Sequence, residues 1–212
     1  MDLILKILFF VPPFLLAVIL HEIAHGWAAE RLGDTTARDS GRITLNPLSH
    51  VDPVMTIVVP LTLTIMGSPV IIGGAKPVPI NPTRFKNPRR GMVITSAAGP
   101  LANIFLAISC AILSIVVEKF LPYNFITYIL SIWLLFGVTI NSVLAIFNLI
   151  PIPPLDGGRI AVGILPTPLA KFVAQLEPYG FIIILAMLYF GIFDAVLGPI
   201  IDFAVTPMIG TM

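Results

Sequence analysis

Residues 15–25 read Leu-Leu-Ala-Val-Ile-Leu-His-Glu-Ile-Ala-His: an apolar run that ends in two histidines and a carboxylate. On a helix, His21 and His25 fall one turn apart on a common face. Two imidazoles at that spacing can bind one zinc ion, and Glu22 between them can reach a water held by the metal. If the helix starts near Leu3, His21 lies roughly 27 Å along it, close to the inner end of a hydrocarbon core about 30 Å thick. Ionisable groups at that depth are expensive and mark function. The competing reading is a polar packing knot in which Glu22 bridges the histidines.

The composition places that run in a membrane. Of 212 residues, 57% are hydrophobic and 11% charged, whereas soluble domains carry about 25% charge. The net charge of +1 gives no argument for nucleic acid as a partner. Cys110 is the single cysteine, so no intramolecular disulfide can form. Lys6 followed by apolar residues resembles a signal peptide, but no small-residue cleavage site precedes His21, which favours a retained helix. The expectation is an α-helical polytopic membrane protein: a bundle of about four to six membrane helices, a re-entrant or hairpin segment and a short extended loop. Residues 1–212 form one transmembrane domain, with a core at 1–160 and hydrophobic segments at 161–212.

Further helices are expected at about 91–117 and 125–149, a short amphipathic interfacial helix at 169–177, and a last span from Tyr179 to about Phe193. Pro12 and Pro13 should kink the first helix. Residues 73–82, Gly-Gly-Ala-Lys-Pro-Val-Pro-Ile-Asn-Pro, form an extended, proline-punctuated loop. Residues 53–73 are apolar but broken by Pro60 and Gly67-Ser68-Pro69.

A catalytic zinc takes three protein ligands and keeps a position for water. The chain has three histidines, so a carboxylate is the natural third ligand. Asp156 is the acidic residue available between Glu118 and Glu177, placed where an apolar helix breaks into Pro151-Ile152-Pro153-Pro154. Gly157 and Gly158 would let the chain turn beside it. The alternative is that Asp156 caps a following helix. If His21, His25 and Asp156 share one metal, residues 31–90 must leave and return to the same membrane face, making 53–73 re-entrant. That face then carries nine cations (Arg31, Arg38, Arg42, Lys76, Arg84, Lys86, Arg89, Arg90 and Arg159) against Lys6 and Lys119 opposite. The positive-inside rule assigns it to the cytoplasm.

His21-Glu22-x-x-His25 and Asn148-x-x-Pro151-x-x-x-Leu155-Asp156-Gly157-Gly158 together resemble the site-2 protease family of intramembrane zinc metalloproteases. Gly99-Pro100-x-x-Asn103 and the 74–82 loop carry the same likeness, which runs to about Gly158. The resemblance implies one zinc ion per chain held by His21, His25 and Asp156, with Glu22 as general base. Glu22 would deprotonate the attacking water and return the proton to the leaving amine. The resemblance also implies cleavage within or near transmembrane segments of other membrane proteins by a multi-pass protein, and the small size points to a prokaryotic cell membrane. No PDZ or CBS domain is expected. Gating would then fall to the helices, the loop or a separate regulatory membrane subunit.

Asn148 is a candidate for the substrate backbone or the oxyanion, a role the resemblance supports, and Asn103 is a second candidate. Asn141 shares a helix face with Asn148. For all three, interhelical hydrogen bonding is the alternative. Ser96, Gly99, Asn103 and Ala107 form a small-polar stripe suited to close packing. His50 reads as a loop-capping residue, and Trp27 and Trp133 as packing or interfacial aromatics. The 76–81 loop could add to an extended substrate strand or anchor at anionic headgroups of the bilayer. A transporter or metal carrier, which would favour repeat symmetry, and a catalytically silent scaffold are the rival functions. No repeat is visible.

Overall fold

The computed structural model describes residues 3–65, 73–191, 195, 198 and 199. The first helix, α1 (Leu3–Arg31), has the expected bounds and runs on through Pro12 and Pro13. A short helix α2 (Thr36–Asp39) follows, then a 3-10 turn at Pro47–His50. A π-helical stretch (Pro53–Val58) leads into α3 (Val59–Ile65). The long helices are α4 (Pro88–Phe120) and α5 (Phe125–Asn148). Asn87 caps α4 by accepting from the Arg90 N–H, and Asn124 starts α5 with a capping box to Thr127. Helices α6 (Asp156–Ile164), α7 (Thr167–Gln175) and α8 (Gly180–Tyr189) close the described chain.

Among the described residues, four helical stretches are long and apolar enough to cross a membrane: Leu8–Arg31, Pro88–Phe120, Phe125–Asn148 and Thr167–Met187. The last contains both the expected interfacial helix and the start of the final span, joined through a 3-10 turn at Glu177–Tyr179. The chain is a helical polytopic membrane protein, and its surface reads accordingly. On α4, Leu101, Phe105 and Ile112 face outward, while Ser96, Gly99, Asn103 and Ala107 are buried. Large apolar groups outside and small or polar groups inside suit a bundle solvated by lipid, where close helix approach and hydrogen bonds hold the contact. Helix α4 packs against α1, α5 and α6 and forms the centre of the bundle.

The start of the segment at Pro53 and the loop from Gly73 lie side by side. The Lys76 N–H donates to the His50 carbonyl at 2.8 Å, and Thr56 Oγ1 donates to the Gly74 carbonyl at 2.6 Å. Residues 66–72, including Gly67-Ser68-Pro69, lie outside the described residues, as does most of the chain beyond 191. Residues 73–81 form the expected extended loop. Arg42 holds it by donating to the Lys76 carbonyl at 2.6 Å, and buried Asp34 accepts the Asn81 N–H at 2.6 Å.

Candidate active site

Helix α1 carries His21 and His25 on the face turned to α4, and the stripe on α4 is what lets them in. A Cβ on Gly99 would lie 2.4 Å from His25 Nε2 and 2.6 Å from His21 Nε2. The imidazoles therefore occupy the space that any larger residue at 99 would fill.

Each ring is oriented from behind. His21 Nδ1 donates to Asn103 Oδ1 at 2.5 Å, and His25 Nδ1 donates to the Thr95 carbonyl at 2.7 Å. A carbonyl can only accept, so Nδ1 of each ring carries the N–H that donates and Nε2 is the nitrogen turned inward. The two Nε2 atoms stand 3.0 Å apart, and each lies 3.2 Å from Asp156 Oδ2. Asp156 Oδ2 is buried without a hydrogen-bond partner. Three buried ligand atoms face one another, an arrangement that a cation among them would satisfy. Two imidazole nitrogens and a carboxylate oxygen are the donor set of a catalytic zinc, and their second nitrogens are held as metal-bound histidines are. Among the described residues, these three form the group able to hold a metal ion.

Asp156 reaches this point because the chain breaks after α5. It is the first residue of α6, so it opens a helix and meets the histidines at once. The glycines after it serve a purpose other than the expected turn. Neither has positive φ. A Cβ on Gly157 would lie 2.3 Å from the Leu149 carbonyl oxygen, and one on Gly158 would lie 2.2 Å from Pro153 N. They allow the first turn of α6 to press against the backbone that precedes it.

Glu22 lines a cavity of about 590 Å³ that also touches His21, Gly74, Asn148, Pro154 and Leu155. Its Oε2 accepts the backbone N–H of Val78 at 2.9 Å. The 73–81 loop thus takes hold of the carboxylate directly, a contact the sequence reading missed. Gly26 marks the approach: a Cβ there would sit 3.2 Å from Val78 Cγ1.

Asn148 faces the same cavity, and its Nδ2 donates to the Leu144 carbonyl at 3.0 Å, which leaves a second N–H on that nitrogen. Asn103 does not stand toward a substrate. Its oxygen is taken by His21, and its nitrogen donates to Asn141 Oδ1 at 2.8 Å and to the Ala17 carbonyl at 3.3 Å. Its hydrogen-bonding capacity is spent behind the histidine, so the oxyanion role considered for it is corrected to orientation of His21. Asn141 completes the chain by donating to the Gly137 carbonyl at 2.8 Å. His50 is buried and its Nε2 donates to the Thr44 carbonyl at 2.9 Å, as a loop-capping residue does. Trp133 Nε1 donates to the Leu8 carbonyl at 3.2 Å, and Trp27 stacks under Arg31 with 4.6 Å from guanidinium to ring.

The chain is 35% identical over 200 residues to the Bacillus subtilis protein named "Putative zinc metalloprotease YwhC", covering 92% of this chain and 86% of that one. The family model described as Peptidase family M50 matches residues 124–190, the part that contains Asp156. The chain belongs to peptidase family M50. This is the site-2 protease family, so the chain is a metalloprotease and zinc is its cofactor. Rip2 of Mycolicibacterium smegmatis, named in the same terms, is 28% identical over 82% of this chain and 64% of its own length. Rip2 of Mycobacterium tuberculosis H37Rv is 28% identical over 68% of this chain and 52% of its own. No solved structure gives a significant match.

Proposed function

We propose that this M50 protease is an intramembrane endopeptidase that cuts a transmembrane protein substrate within or near its membrane-spanning segment. One observation carries this reading: His21, His25 and Asp156 converge at the edge of a cavity that His21 and Glu22 line, on helices of membrane length. His21, His25 and Asp156 would hold the zinc ion, which when bound would supply Lewis acidity toward water and the scissile carbonyl. Glu22 is the general base: it takes a proton from water as the water attacks and passes it to the leaving nitrogen. The Val78 N–H keeps its carboxylate aimed into the cavity. Asn148 offers its remaining N–H to the substrate backbone, and the extended loop offers an edge along which an unwound substrate strand can lie. The cationic loop and helix ends on this face support a cytoplasmic orientation of the metal end.

The test uses purified protein in bilayers with a model transmembrane substrate, wild type beside Glu22→Gln. The expected result is one zinc per chain in both and cleavage in the wild type alone. Equal cleavage by both would remove Glu22 from the mechanism, and wild-type protein that binds no zinc would remove the site.

A further inference from the structure

A second cavity, of about 890 Å³, lies on the other side of the 73–81 loop. Val78, Pro79 and Ile80 form one wall, and α6 and α7 form the other. It is continuous in sequence with the catalytic cavity along both walls. Gly74 and Ala75 line the catalytic cavity while Pro77 and Val78 line the second. Across from them, Pro154 lines the first and Pro153 the second. The loop and the 153–154 turn thus carry neighbouring residues on the walls of both cavities. The four extended residues 77–80 span about 13 Å, the length of roughly four substrate residues. Pro77 and Pro79 carry no N–H and that of Val78 is taken by Glu22, so Ile80, whose backbone forms no hydrogen bond among the described residues, offers the one free N–H of this stretch beside its carbonyls.

The walls are apolar, yet Arg89, Arg159 and Lys171 line the space against one carboxylate, Glu177. Arg89 donates to the carbonyls of Gly163 and Leu165, which leaves its charge uncompensated. Arg159 is half-buried, and its guanidinium has neither an ion pair nor a hydrogen bond among the described residues. A partly desolvated, unpaired guanidinium beside apolar walls is complementary to a carboxylate borne on an apolar segment.

We propose that this cavity is a substrate subsite that binds the segment flanking the scissile bond and selects an acidic side chain there, paired by Arg159 with Lys171 at the rim. The inference rests on the endopeptidase reading above and adds a substrate class to it. The extended loop that walls both cavities, with its apolar side chains, favours a peptide over a lipid headgroup as occupant.

The test is a set of model transmembrane substrates identical except for Asp, Asn or Lys at successive positions flanking the cut, supplied in vesicles of neutral lipid. The expected result is a preference for Asp of roughly tenfold or more in kcat/KM at one or two positions, the scale of one charged hydrogen bond. Arg159→Gln should bring the Asp-to-Asn ratio to about one with zinc content unchanged, and Lys171→Gln should lower the ratio. Arg159→Glu should prefer the Lys substrate. Indifference of the wild type to flank charge, or equal losses on all substrates in Arg159→Gln, would overturn the proposal. So would a preference that appears only on adding anionic lipid, which would mark a headgroup site. A fluorescent version of the Asp peptide binding to Glu22→Gln separates the two readings. Arg159-dependent binding without cleavage by wild type would leave the subsite standing and remove the endopeptidase. Cleavage without charge-dependent binding would do the reverse.

Discussion

Glu22 Oε2 accepts the backbone N–H of Val78 at 2.9 Å, a contact across 56 positions of sequence that joins the base to the loop. Val78→Pro deletes that donor and keeps an extended backbone. A hydrogen bond to a charged group is worth about 1.5–3 kcal/mol. The expected outcome is a loss of roughly 10–100-fold in kcat/KM at unchanged zinc content. Wild-type kinetics in the variant would show that the loop does not aim the carboxylate.

Gly99→Ala should act on the metal rather than on the fold of α4. Its Cβ would meet both imidazoles inside 2.7 Å, at 2.4 Å from His25 Nε2 and 2.6 Å from His21 Nε2. One ring must turn away. Zinc affinity, measured by competition with a chelator, should fall about 10–100-fold or more, the scale seen when support of a ligand is lost. Retention of wild-type affinity would contradict the packing described.

Behind His21, Asn103 and Asn141 act as a unit. Asn103→Leu removes the acceptor for His21 Nδ1 and strands Asn141 Oδ1 in the interior. Each stranded polar group costs about 1–3 kcal/mol. Asn141→Ala leaves the His21 bond in place but frees Asn103 to rotate. The expected order of zinc affinity is wild type, then Asn141→Ala, then Asn103→Leu, with non-additive effects in the double variant. Additive losses would separate the two residues.

Asp34 ties the end of α1 to the loop, outside the membrane spans. Burial works to raise its pKa, but hydrogen bonds from the Thr36 hydroxyl and from the N–H groups of Asn81 and Thr36, with the charge of Arg84, hold it below the ordinary 3.8. A carboxyl whose folded pKa is depressed contributes stability that is complete above the unfolded value and is lost as pH falls through the folded one. The wild type should therefore lose stability on acidification below about pH 4. Asp34→Asn, measured by thermal unfolding in detergent, should be less stable by about 1–3 kcal/mol near neutral pH and should show a flatter acid limb. Parallel acid limbs in the two proteins would count against Asp34 as their source.

Much of this architecture is legible in residue types and spacing. The bounds of α1 follow from an apolar run closed by Arg31, and those of α5 from the Asn124 cap and the prolines after Asn148. His21, His25 and Asp156 announce themselves because metal-binding groups in an apolar chain are conspicuous. The glycines at 157 and 158 could be recognised, but their reason could not. A turn and a close backbone approach both call for glycine, and the positions of the Leu149 carbonyl and Pro153 decide between them. For Asn103 the difficulty is orientation. An amide on a buried helix face has the same composition whether it meets substrate or a histidine.

Residue types alone point to the long apolar helices and to His21, His25 and Asp156 as a candidate metal site, because hydropathy and ligand chemistry belong to individual side chains. Only the packing of distant segments shows that the 73–81 loop clasps Glu22, that Asn103 stands behind His21, and that Arg159 lines a second cavity without a partner among the described residues. Those relationships run through backbone N–H groups that every non-proline residue carries, and through distances between segments far apart in the chain. No local pattern encodes them.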